Sequence, residues 1–303
     1  MQAAASRRGR YGLGLYFVLF ALFLYTPIVV LMIFSFNDSL VVAFPLSGFT
    51  VRWYRLLAQN EQLLKALETS FVVAAISSAV AVGLGILASY SVVRRRFRGR
   101  GVVSGLLLSP LVIPYVVFGI ALLILFRALD GFLIDHFGFY FGLGMHAIVI
   151  GHVVVSLPFT ILTLAPRLER MSTDVEEAAR DLGANPVSTF RRVTVPLLIP
   201  AIISSYLIAF TLSFDEYAIA SFVAGDVTTY PLHLYGQVRI RVGLPQMIAI
   251  SVIVLVASIL VVVAAEVARG RAERRLGVPG SAGGAARTPR AQDPERMART
   301  SSA

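Results

Sequence analysis

Thr173-Asp174-Val175-Glu176-Glu177-Ala178-Ala179-Arg180-Asp181-Leu182-Gly183-Ala184-Asn185-Pro186 is a polar island in an apolar chain, and it closes at Arg191-Arg192-Val193-Thr194-Val195-Pro196. Thr173 and Glu176 have the spacing of a capping box. Asp174, Glu176 and Glu177 put negative charge in the first helical turn, where the helix dipole favours it. A helix therefore starts near Thr173. Ala178 and Ala179 favour helix and add little bulk, so another surface can approach that side closely. Gly183 suits the left-handed position just past a helix end, and Asn185-Pro186 reads as a cap followed by the first residue of a second helix. The island is a helical elbow, closed on its far side by Arg191 and Arg192 before Pro196 and Pro200 lead into the next apolar run.

The sequence around the elbow belongs in lipid. A chain of 303 residues that is 57% hydrophobic and 15% charged is too apolar for a soluble domain of that size. Six stretches can cross a hydrocarbon core of roughly 30 Å: residues 11–36, 69–93, 102–126, 146–168, 198–222 and 247–267. The fold class is therefore all-α, a polytopic membrane protein with six transmembrane helices. The first stretch exceeds a signal peptide's apolar region and no small-residue cleavage site precedes Asn37-Asp38, so it reads as an uncleaved span. Zero cysteines exclude disulfides and thiolate chemistry.

Arginine placement predicts orientation. Arg7, Arg8 and Arg10 precede the first span, Arg94, Arg95, Arg96, Arg98 and Arg100 fill the second loop, and Arg180, Arg191 and Arg192 lie in the elbow. Arg269, Arg271, Arg274 and Arg275 follow the last span. Both termini and the elbow are therefore expected on the cytoplasmic side. The opposite loops carry fewer cations: Arg52, Arg55 and Lys65, then Arg127, then Arg239 and Arg241. The net charge of +10 is mostly a topology signal, and arginines at membrane flanks do not form the basic face that nucleic acid requires.

The pattern of Glu177, Ala178, Ala179, Gly183 and Pro196 resembles the EAA loop of the integral membrane subunits of binding-protein-dependent ABC importers, with valines at 193 and 195 where isoleucine and leucine are more usual. The resemblance implies the type I (MetI-like) permease fold. It assigns residues 1–10 to a cytoplasmic N-terminus, 11–36 to an added first helix and 37–68 to an extracytoplasmic segment. Residues 69–267 become a five-helix importer core with a coupling loop at 169–197. It also implies that Glu177 is the principal docking residue for a cytoplasmic ATPase, shaped by Ala178, Ala179, Gly183 and Pro196. Residues 268–303, rich in Gly, Ala, Pro, Ser and Arg, read as a disordered basic cytoplasmic tail.

Within 37–68, Trp53 and Tyr54 suit the membrane interface. Pro110 and Pro114 predict a bend in the third span, serving either as part of a gate or as a fixed kink.

This chain has no Gly-x-x-x-x-Gly-Lys-Ser/Thr loop, and its one lysine, Lys65, lies outside any glycine-rich segment. It is not an enzyme in this reading: no catalytic residue, metal ligand or cofactor belongs to it, and ATP and Mg are used by the partner ATPase. His136, His146, His152 and His233 lack ligand spacing, and His152, inside a span, reads as a hydrogen-bonded interior residue. The exception to the apolar pattern is Ser213-Phe214-Asp215-Glu216-Tyr217 within the fifth stretch. An aspartate at membrane depth costs about 2.5–3.5 kcal/mol, so the carboxyls should face a polar interior or a water-filled path. Adjacent helical residues point about 100° apart, so one can face the path while the other pairs with a neighbour. The alternative is a purely structural pair satisfied by Ser, Tyr or a cation on another helix.

That run, with Thr228-Thr229-Tyr230-Pro231-Leu232 and Gln237-Val238-Arg239-Ile240-Arg241-Val242-Gly243, resembles the second permease of spermidine/putrescine-type importers. The resemblance implies that Asp215, Glu216 and Tyr217 line a path for polyamine-like or other amine-bearing solutes. Opines, amino-acid-like compounds, phosphonates and ferric iron are the alternative cargoes, and a self-contained secondary carrier is the reading from another class. The implied partners are a second permease subunit in a heterodimer, an ABC ATPase dimer, an extracytoplasmic substrate-binding protein and membrane lipid. The implied location is the bacterial inner membrane.

Overall fold

The computed structural model describes residues 7–240 and 243–275. Among them, strand pairing is confined to one bridge between Asn37 and Phe49. The helices are α1 (Arg7–Phe34), α2 (Arg52–Leu57), α3 (Glu61–Arg94), α4 (Arg100–Leu108), α5 (Tyr115–Phe137), α6 (Met145–Arg170), α7 (Asp174–Asp181), α8 (Pro186–Thr189), α9 (Val195–Phe214), α10 (Ala220–Val223), α11 (Tyr230–Ile240) and α12 (Leu244–Arg275). Six helical segments among the described residues are long and apolar enough to cross a membrane: Gly12–Phe34, Glu61–Arg94, Tyr115–Phe137, Met145–Arg170, Pro186–Phe214 and Leu244–Ala264.

The bundle is built on α3, α6 and α9, whose mutual contacts are the most extensive in the molecule. Lipid is as apolar as leucine, so helices in it associate by close packing more than by hydrophobic drive. The sequence meets that need with small side chains. Ala74, Ser77, Ser78, Ala81, Gly85 and Ser89 make the buried face of α3, and Gly151, Ser156 and Thr160 lie on the buried face of α6. A Cβ placed at Gly85 would lie 2.8 Å from Thr160 Cβ, so only glycine allows this approach. Thr160 Oγ1 donates to its own Leu157 carbonyl at 2.7 Å and reaches the Ala81 carbonyl of α3 at 3.3 Å. In contrast, α1 rests on α12, and only 6% of its apolar window is buried by the rest of the chain.

Five expectations need correction. The third span runs over Tyr115–Phe137, not 102–126, and so includes Arg127. Pro110 sits in a 3-10 turn, Ser109–Leu111, and Pro114 stands immediately before α5. Proline lacks an amide donor and restricts the residue before it, so two prolines four apart divide the segment instead of bending one helix. The second span begins at Glu61, where Asn60 Oδ1 accepts the Leu63 N–H, so Glu61–Glu68 continue the helix below its apolar portion.

Trp53 is only 4% exposed, so it is packed inside the protein instead of presented to lipid headgroups as expected. Its Nε1–H donates to the Asn37 carbonyl at 2.8 Å, and Tyr54 donates to Ser35 Oγ at 2.7 Å. The ring packs with Leu57, Leu63, Tyr230, Met247 and Ile250, which pins this segment to α3, α11 and α12. Last, α12 runs through Arg275, beyond the expected start of the tail at 268. Residues 1–6, Arg241, Val242 and the remainder of the proposed tail, 276–303, lie outside the described residues.

Candidate functional site

The elbow forms as α7, a break, α8 and a π-helical turn, Phe190–Thr194, leading into α9. Gly183 has φ +87°, the left-handed conformation expected, and Asn185 Oδ1 accepts the Ser188 N–H at 2.7 Å. The capping box does not form. Thr173 makes no side-chain cap, and Ser172 Oγ accepts the Asp174 N–H instead. Glu176 turns inward, where it accepts from Thr194 Oγ1 at 3.0 Å and lies 3.3 Å from Arg94 Nε. Arg94 in turn donates to the Met171 carbonyl at 3.0 Å. A guanidinium and a hydroxyl away from water hold a carboxylate more strongly than an exposed amide does. This clamp joins the end of α3 to the end of α6 and to both arms of the elbow. Tyr90 adds an edge-to-face contact with Phe190, centroids 4.9 Å apart.

Glu177 and Ala178 are exposed on the outer side of the elbow, Ala179 is half-buried, and Pro196 is half-buried in the first turn of α9. Leu182 and Val187, not singled out from the sequence, are 90% and 74% exposed. Two apolar side chains flanking the Gly183 break on a polar loop were the available signal. A cavity of about 400 Å³ between the end of α3 and the elbow is bordered by Tyr90, Arg95, Glu177 and Arg180.

At the other end of α9, the acidic pair lies just beyond the helix, because α9 stops at Phe214 and not at residue 222. The pair divides. Glu216 is 5% exposed, and its carboxylate accepts the Ile219 N–H at 2.8 Å and the Ala220 N–H at 3.1 Å, capping the short α10. Its Oε2 is 3.2 Å from His152 Nε2 on α6. The other ring nitrogen of His152 is 2.7 Å from Ser213 Oγ, which is 2.8 Å from Ser77 Oγ on α3. His152 is thus the hydrogen-bonded interior residue expected of it.

Asp215 is exposed and, among the described residues, makes no ion pair. Tyr217 stacks on Tyr235 with centroids 4.1 Å apart. Asp215, Glu216, Tyr217 and Tyr115 are among the residues lining a cavity of about 330 Å³. Asp215 also borders an apolar groove of about 430 Å³ walled by Phe71, Phe210, Phe214 and Ile250. No group of three or more His, Asp or Glu side chains among the described residues has metal-binding geometry.

Comparisons with known proteins agree with this geometry. The family described as "Binding-protein-dependent transport system inner membrane component" matches residues 81–275. The spermidine/putrescine transport system permease protein PotC of Escherichia coli (strain K12) is 35% identical over 257 residues, covering 84% of this chain and 93% of that protein. The putrescine transport system permease protein PotI of the same strain is 38% identical over 235 residues, covering 77% and 82% respectively. Among solved structures, a bacterial ABC transporter involved in the import of alginate superposes with TM-score 0.67 at 19% identity, covering 88% of this chain and 98% of that one. The MetNI methionine ABC transporter gives 0.52 at 18% identity, covering 74% and 99%. These structural likenesses establish an ABC transporter permease fold. With six membrane-crossing helices, an elbow carrying the EAA pattern and a family match over most of its length, the chain belongs to the inner membrane components of binding-protein-dependent transport systems.

Proposed function

We propose that the chain is one of two permease subunits of an importer for spermidine/putrescine-like solutes, and that Asp215 receives their ammonium groups. The observation that carries the substrate reading is the carboxylate of Asp215, without an ion pair among the described residues and exposed in a cavity with Tyr115 and Tyr217, while the neighbouring Glu216 carboxylate is engaged by two backbone amides. An ammonium losing its water needs a compensating charge, and aromatic faces add cation–π attraction. The names of the 35% and 38% identical relatives support the same cargo.

In this reading the elbow and both termini face the cytoplasm, and residues 37–68 lie outside. An ATPase dimer seats on Glu177, Ala178, Leu182 and Val187, using ATP and Mg that this chain does not itself bind. An extracytoplasmic binding protein delivers the solute to a heterodimeric path. Closure of the ATPases moves the elbow, and the Arg94–Glu176 clamp carries that movement into α3.

The test is uptake of labelled spermidine by cells that lack other polyamine uptake and express the complete transporter. Asp215→Asn should lower uptake about tenfold, equivalent to about 1.4 kcal/mol, and unlabelled putrescine should compete. Parental uptake by the variant, or failure of polyamines to compete, would rule out the assignment.

A further inference from the structure

The break after α9 is held by a continuous chain of polar groups buried between three spans. Ser77 and Ser213 are 0% and 3% exposed, and His152 is 1% exposed. Hydrogen bonds run from the Val73 carbonyl through Ser77 and Ser213 to His152, whose Nε2 approaches Glu216 Oε2 at 3.2 Å, and so connect α3, the end of α9, α6 and the start of α10.

Counting donors fixes the protons. Ser77 Oγ lies 2.6 Å from the Val73 carbonyl oxygen, a separation at which two oxygens need a hydrogen between them. Ser77 has only one hydrogen, so Ser213 must donate to Ser77 at 2.8 Å. Ser213 is then an acceptor for His152, whose Nδ1–H lies 2.7 Å away. A neutral ring protonated there would turn the bare lone pair of Nε2 toward a carboxylate oxygen at 3.2 Å. The contact is attractive only when one further proton lies between Nε2 and the Glu216 carboxyl, which makes the His152–Glu216 pair net neutral. Glu216 is then engaged by His152 and by two amide donors.

We propose that His152 is a positioning residue that latches the chain break: it holds the Glu216 carboxylate inward as the cap of α10, so that of the two acids lining the cavity only Asp215 keeps an exposed carboxylate. The role assigned to Asp215 rests on the permease reading above; the latch itself is a property of the fold.

The chain's lack of cysteine makes the latch measurable without transport. Ala220 is 0% exposed and its N–H is one of the two that Glu216 holds, so Ala220→Cys should react slowly with a maleimide in open membranes containing the assembled transporter. Adding His152→Ala should accelerate labelling about tenfold or more, through local opening of the break. Glu216→Ala should do the same, and the double variant should be no faster than either, as expected of residues that act as one unit. His152→Gln, which keeps polar groups at both ends, should recover much of the protection.

Ala249→Cys, 0% exposed in the separate cluster around Trp53, reports on the rest of the fold and should stay slow throughout. An unchanged rate in His152→Ala overturns the proposal, as do effects that multiply in the double variant or acceleration at Ala249→Cys as well. Because no solute is present, failure here is separable from failure of the polyamine assignment.

Discussion

Glu176 and Glu177 are adjacent and chemically identical, yet their surroundings give them opposite duties. The Glu176 side chain is 4% exposed against an Arg94 side chain that is 11% exposed, whereas Glu177 stands in the open. Removing one partner of a buried pair leaves the other charge uncompensated, at a cost of about 3 kcal/mol. Glu176→Ala should therefore lower the melting temperature of the detergent-solubilised protein, while Glu177→Ala should melt within about 0.5 kcal/mol of the parent. In the assembled importer Glu177→Ala should instead weaken ATPase association. Equal melting of the two variants would refute this division. The same separation governs Asp215 and Glu216. For both pairs the sequence shows two carboxylates pointing about 100° apart. Which of them turns inward depends on Arg94 and Thr194, or on His152, all distant along the chain.

Among elements, the pairing of α3 with α6 is held by close approach, and two glycines make that testable. Gly85 faces Thr160, whereas a Cβ at Gly83 would meet nothing within 4 Å. Gly85→Leu should cost about 1–3 kcal/mol by overpacking, read as reduced membrane accumulation and a lower melting temperature. Gly83→Leu should be tolerated; equal behaviour would show that this face is not the tight one. The elbow was legible element by element, because Gly183, Asn185 and Pro186 act on the backbone within a residue or two of themselves. The separation of α4 from α5 was not legible from hydropathy, since apolar residues run on across the break and only Pro110 and Pro114 mark it. The end of α9 was missed for a related reason: the helix stops where Glu216 finds partners on α6 and α10, although Ala218, Ile219 and Ala220 would have suited its continuation.

For the whole molecule, the elbow precedes α9 and the 224–229 turn follows its far end, so the two belong on opposite membrane faces. In intact cells an impermeant thiol reagent should label Asp226→Cys but not Leu182→Cys, both introduced at exposed positions. Labelling of Leu182→Cys from outside would invert the orientation argued from the arginines. The sequence by itself determined the all-α membrane class, six spans, a capped elbow and the family, because hydropathy, charge flanks and glycine and proline conformations are local quantities. Only the tertiary structure decided that Trp53 is buried, that Glu176 clamps α3 to the elbow, and that Glu216 is held inward while Asp215 remains free. Those outcomes depend on where polar groups far apart in the chain find partners once water is excluded, and in a low-dielectric interior an unpaired group costs too much to be left to chance.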